Sequence, residues 1–286
     1  MFGTAYEMDP QLQVGAMVID PAGLPVIRAV YERYVADAEA AGVPIVIGTP
    51  TFRASANFAA AAGRPGDVAA MNRRAAAMQR ELADAATADV YVAGVLGPAR
   101  DAYTPGQALG SEAARRYHSE QAMLLAEAEV DFLFAATFPA VEEAIGAGRA
   151  MTGTGLPAVV SLVLDERGDV LDGTPLATAV TRLDADVGEG LAYVSLSCIH
   201  TSVAAQALEA LDDATRSRVR ELKANGSPLP TTELVQLDHL AGDAPELFAA
   251  RIWELHDRYG LQVIGGCCGT GSAHIAELAG RIAAEA

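Results

Sequence analysis

Apolar residues along this chain fall into short runs, each followed by a longer stretch in which alanines and other apolar side chains recur at helical spacing. The runs lie at 43–47, 90–96, 132–138, 158–164, 193–198 and 261–264. Unbroken apolarity over a few β-prone positions suits a strand covered by helices on its outer side and packed on its inner side. Helices are predicted at 26–41, 67–86, 111–129 and 245–259, with Asp67 and Ser111 as N-caps and Gly42 and Gly260 as C-terminal stops. Strict alternation of strand and helix with short links implies right-handed crossovers and a parallel sheet. No GxGxxG follows an early strand and no P-loop pattern occurs. Units of about 35 residues repeated along the chain favour a (β/α)8 TIM-type barrel over an open doubly wound sheet. No linker divides the chain, so residues 1–286 read as one domain. The least regular stretch is 212–240, with a weakly marked strand near 219–223.

Composition narrows the partners. The chain has 286 residues, 51% of them hydrophobic, and a formal net charge of −17, which disfavours nucleic acid and anionic membranes as partners because both are polyanions. No run reaches the roughly eighteen apolar residues of a spanning helix. Residues 1–10 lack the basic and apolar regions of a secretory signal. Three cysteines, two of them adjacent, do not suit a disulfide framework. A cytoplasmic location with free or metal-bound thiols fits best.

The candidate chemistry sits at two strand ends. One reads Ser195-Leu196-Ser197-Cys198, the other Ile264-Gly265-Gly266-Cys267-Cys268-Gly269-Thr270. In a barrel, function gathers where strands end and βα loops begin. A lone buried cysteine is by default a small core hydrophobe. An adjacent pair bracketed by glycines at a strand terminus makes poor packing, because alternation sends the two side chains to opposite faces. Three thiolates on one Zn2+ leave a fourth position open, the layout of a catalytic site. Bound to zinc, a thiol loses its proton and stays nucleophilic at neutral pH.

At this point the chain resembles the zinc-dependent homocysteine S-methyltransferases, the family of betaine–homocysteine methyltransferase and the homocysteine module of methionine synthase. The run Gly265–Thr270 followed by His274-Ile275 is similar to that family's final motif. Supporting likenesses follow in order: Ala41-Gly42 leading to Thr49–Ser55, then Gly97-Pro98, then His118–Gln121. Thr137, Pro139 and Glu143 come next, followed by Asp172–Leu176 and Asn225-Gly226-Ser227. The resemblance implies zinc ligation by Cys198, Cys267 and Cys268. It also implies a substrate pocket drawing on Gly3, Thr51, Thr137 and Asn225, and transfer of a methyl group from a small donor to homocysteine or a related thiol.

Three departures qualify the match. The family's opening Asp-Gly-Gly-x-Gly-Thr survives only as Gly3-Thr4, so either the true start lies upstream of Met1 or the first strand is missing or truncated. In the second case another segment or a second subunit would cover the gap, which would give a homo-oligomer a reason to exist. The glutamate that the family uses for the homocysteine amino group is Ala136 here, so either the acceptor is a different thiol or another soft nucleophile lacking the amino-acid head group, or Glu142, Glu143 or Asp101 serves from a loop. Ser197 replaces the asparagine before the first cysteine. His200 reads as a solvent-facing loop histidine rather than a further ligand, and His118 and His274 as structural. The competing reading is a degenerate barrel retained for ligand or protein binding. A zinc lyase or hydrolase is disfavoured, since a thiolate-rich zinc activates water weakly.

Overall fold

Unbroken apolarity on the strands has a direct structural consequence: side chains alternate along a strand, so one apolar set faces the helices and the other faces inward. The computed structural model describes residues 6–229 and 242–285. Its strands are β1 (Ile45–Gly48), β2 (Val90–Leu96), β3 (Phe132–Phe138), β4 (Ala158–Leu162), β5 (Leu191–His200), β6 (Val219–Asn225) and β7 (Val263–Gly266). They form one parallel sheet in chain order, every neighbour paired with the next. The principal helices are α1 (Val14–Met17), α2 (Gly23–Ala41), α3 (Ala56–Ala61), α4 (Val68–Ala85), α5 (Ser111–Glu127) and α6 (Val141–Thr152). They continue with α7 (Leu176–Val187), α8 (Thr201–Glu209), α9 (Asp213–Arg216), α10 (Pro245–Tyr259) and α11 (Ser272–Glu285).

The expected parallel α/β architecture is present as a curled seven-stranded sheet, a TIM-type barrel short of one strand among the described residues. The stretch at 219–223 is indeed a strand and runs on to Asn225. Leu133, Ala135, Val160, Leu162, Val194, Leu196 and Leu222 face the helices and share one core with Leu125, Ala144, Ile145 and Val180. The alternate positions Ala93, Phe134, Val159 and Tyr193 form a second cluster inside the curl. Two predicted caps are corrected. Asp67 makes no capping bond because its carboxylate is taken by Arg64, and Ser111 is already helical, with Gly110 before it. Gly42 and Gly260 do end their helices, both in the left-handed conformation.

β1 and β7 are the two edges of the sheet. On the outside, α2 and α11 close over the gap through Ala38, Ala41, Ala279 and Ile282. Between the edges a cavity of about 500 Å³ opens onto the inner face, lined by Tyr31, Ile45, Tyr91 and Ile264 among others, and it reaches Lys223. Lys223 is the only lysine in the chain. Its Nζ lies 3.2 Å from a Glu221 oxygen and 3.9 Å from the centre of the Phe134 ring. Glu221 is almost wholly buried, so the ammonium is what makes its charge tolerable there. Lys223→Met should therefore destabilise the fold by about 2 kcal/mol, the usual cost reduced because the lysine is partly exposed. Adding Glu221→Gln should recover most of the loss, as read from urea midpoints.

Candidate metal centre

The mouth of the curl is built on two strand ends that depart from regular geometry in the same way. The β3–β4 register slips between Ala135 and Phe138, and the β5–β6 register between Ser197 and Ile199. The residues inside these slips, Thr137 and Cys198, have φ of 59° and 57°, which L-residues other than glycine rarely adopt. Each costs on the order of 1–2 kcal/mol and persists only where the surroundings hold it. For Cys198 the hold is visible: Asn225 Nδ2, at the end of the neighbouring β6, donates to the Cys198 carbonyl at 3.0 Å. The bulge re-aims a side chain at the sheet terminus, which is how Cys198 comes to face its partners.

The partners come from the turn after β7. Cys267 N donates to Ala224 O at 2.7 Å, Gly226 N to Cys268 O at 2.9 Å, and Thr270 Oγ1 to Cys267 O at 2.8 Å. Gly266 is required there, because a Cβ on it would fall 2.3 Å from Thr270 Oγ1. The turn can thus tighten until both cysteines address one point.

The three sulfur atoms lie within 4.8 Å of one another, with Cys198 Sγ 3.6 Å from Cys268 Sγ. Zn–S bonds of about 2.3 Å at tetrahedral angles put sulfurs roughly 3.8 Å apart, so the donor set and spacing fit a zinc ion. The thiols titrate as a group. Hydrogen bonds from Cys198 and Cys267 pull Cys268 down to about 3. Hydrogen bonding with Cys198 pushes Cys267 well up. For Cys198 the bond with Cys267 acts downward, but the bond with Cys268 and burial outweigh it and push the thiol up to about 12.

The other candidates fall as follows. Asn225 lines a cavity of about 520 Å³ beside Cys198, together with Tyr103, Val163, Glu166 and His200. Thr51 is fully buried and its hydroxyl donates to Val95 O at 2.6 Å, stitching the end of β1 to β2 with Thr49. Thr137 occupies the β3 bulge and is nearly buried. Gly3 lies outside the described residues. His200 is not solvent-facing: its side chain is only 9% exposed, caps α8 by accepting from Ser202 N, and sits 3.6 Å from Asp243. Burial lowers its pKa, partly offset by Asp243, and it stands outside the sulfur cluster. His118 and His274 are structural, paired with Glu143 and with the Gly271 amide and Asp243 carbonyl respectively.

Each of the three stand-ins for Ala136 already has partners within the protein. Glu142 pairs with Arg182 on the outside, and Asp101 accepts from Tyr103 N and Thr104 within its own turn. Glu143 accepts from Ala99 N and Leu109 N and meets His118. The residue that sequence reasoning missed is Tyr103, whose hydroxyl lies beside the sulfurs of Cys198 and Cys268. Its signal, an aromatic residue in the loop after Gly97-Pro98, is faint without the fold.

Fold and site together define a barrel-type α/β protein with a cluster of three thiols, spaced so that it could hold a metal ion, at the C-terminal ends of its strands. The chain belongs to the homocysteine S-methyltransferase family, whose sequence model matches residues 5–282. It is 27% identical over 202 residues to methionine synthase of Mycobacterium tuberculosis, a match covering 68% of this chain and 16% of that protein. It is 29% identical over 177 residues to mouse S-methylmethionine–homocysteine S-methyltransferase BHMT2, covering 58% and 48%. The chain thus spans less than half the length of these relatives. The metallated homocysteine methyltransferase MmuM of Escherichia coli has a similar fold, with a TM-score of 0.75 at 21% identity over 96% of this chain and 90% of that one. Among the described residues no helix is long and apolar enough to cross a membrane.

With metal stripped and thiols reduced, iodoacetamide should alkylate Cys268 at mildly acidic pH, while Cys198 and Cys267 should need alkaline pH. Peptide mapping across a pH series would read this directly.

Proposed function

We propose that this chain is a zinc-dependent S-methyltransferase that transfers a methyl group to homocysteine or a related thiol. The observation that carries the reading is the convergence of Cys198, Cys267 and Cys268 at a spacing suited to one zinc ion, on strand ends flanking a cavity. Family membership supports the reaction class. Zinc on three thiolates would supply ionisation of the acceptor thiol at neutral pH, with its proton lost to water.

The chain's own residues account for the rest. Three cysteine thiolates more than balance a divalent charge, so the acceptor sulfur keeps its electron density. That sulfur attacks the donor methyl carbon, and the bond from methyl to the donor's sulfur or nitrogen breaks with its electron pair staying on the donor. A cationic donor, sulfonium or quaternary ammonium, leaves neutral. Asp165 and Glu166 put carboxylates on the cavity lining, where the cation Arg167 is already held by Asp165 at 3.0 Å. An acidic lining of this kind favours entry of a cationic donor and release of the neutral product. Ala136 argues for an acceptor whose amino group is bound differently from the family's way, or is lacking.

The test is zinc content after purification under reducing conditions, followed by methylation of thiols with and without an α-amino group, using S-methylmethionine and betaine as donors. About one zinc per chain is expected, lost together with activity in Cys267→Ala. A wild-type protein that neither carries nor takes up zinc, yet binds thiols without turnover, would instead support a barrel kept for binding.

A further inference from the structure

Tyr103 sits in the irregular loop between β2 and α5, where its only nearby regular element is a single turn at Pro105–Gln107. Its side chain nevertheless lines the same cavity as Cys198, with the hydroxyl beside the sulfurs of Cys198 and Cys268. A loop this long needs something to hold it in one conformation. One carboxylate does so at both ends. Glu143, in the first turn of α6, accepts from Ala99 N at 2.7 Å through one oxygen and from Leu109 N at 3.2 Å through the other. His118 of α5 stands 3.2 Å from the first oxygen, and both side chains are wholly buried. Asp101 fixes the middle of the loop by accepting from Tyr103 N at 2.8 Å. The buried acid therefore sets where the Tyr103 hydroxyl comes to rest, although it touches none of the cysteines.

We propose that Tyr103 is a positioning residue for the metal centre, its hydroxyl orienting Cys198 and Cys268 for the ion and its own place set by the Glu143–His118 pair. The proposal rests on the zinc-site reading above. Groups that hydrogen-bond metal ligands fix ligand orientation and donor strength, and their loss weakens metal binding by roughly 10–100-fold. Tyr103→Phe keeps the ring and removes only the hydroxyl.

The experiment is competition titration of zinc and cobalt(II) into the reduced protein, with the sulfur-to-cobalt charge-transfer band recorded, for wild type, Tyr103→Phe and Glu143→Gln. Tyr103→Phe should bind metal about tenfold more weakly, with unchanged metal-free melting and a shifted band, because the thiolates lose a hydrogen-bond donor. Glu143→Gln should move affinity and band in the same direction; should it not fold, Tyr103→Phe still decides the matter. Equal affinity with an unshifted band in Tyr103→Phe would overturn the proposal while leaving the zinc site standing. Weaker binding with an unshifted band would reduce Tyr103 to a packing role and also overturn it. A wild type that takes up neither metal would remove the centre itself, and both readings would fail.

Discussion

Three sulfur atoms within 4.8 Å of one another set the terms for the mouth of this protein. Close anionic groups repel, so such a trio can ionise fully only around a cation. Hydrogen bonds among the three pull the Cys268 thiol down and push Cys267 up. The protein must hold this arrangement against its own electrostatics, and the structural irregularities near the mouth are where it does so. Cys198 sits in a left-handed conformation inside a bulge, its carbonyl tied to Asn225 on the next strand. Cys267 and Cys268 sit in a turn whose amides and carbonyls are bonded back to Ala224 and Gly226.

Further from the sulfurs the same logic continues in the loops. Thr49 and Thr51 join the end of β1 to β2, and Gln121 donates to Thr51 O from α5. Glu143 and His118 fix the loop that carries Tyr103. These buried polar groups would be costly without partners, and they are matched to strand backbone, loop backbone or one another at the C-terminal side of the sheet. The rigid part of the molecule therefore reaches the site through hydrogen-bonded loops rather than through apolar packing alone.

The inner face of the sheet has a different character. Its upper layer holds Ser161 and Ser197 in contact at 2.6 Å, and lower down lies the Lys223–Glu221 pair. The cavity between β1 and β7 gives this face a lateral opening, with Tyr91 half-exposed although it sits on an inner strand. A charged pair in a barrel interior is tolerable where water can reach one member, and that is the situation of Lys223.

Much of this was legible in the residue order. Apolar runs and helical spacing determined the strands and the parallel order, because covered strands must be apolar and crossovers must be right-handed. Glycines around an adjacent cysteine pair marked the turn that carries two of the three clustered thiols, since only a sharp, crowded turn needs them. Other features came only with the tertiary structure. The bulge at Cys198 depends on Asn225, 27 residues on, and the reach of Tyr103 depends on an acid on another helix. Whether Glu143 was free for substrate, and whether His200 faced solvent, turned on backbone amides and neighbours that sequence spacing does not encode. Local pattern determines elements because it acts through short-range sterics and burial. A site is assembled by contacts between chain-distant groups, and only the folded chain decides those.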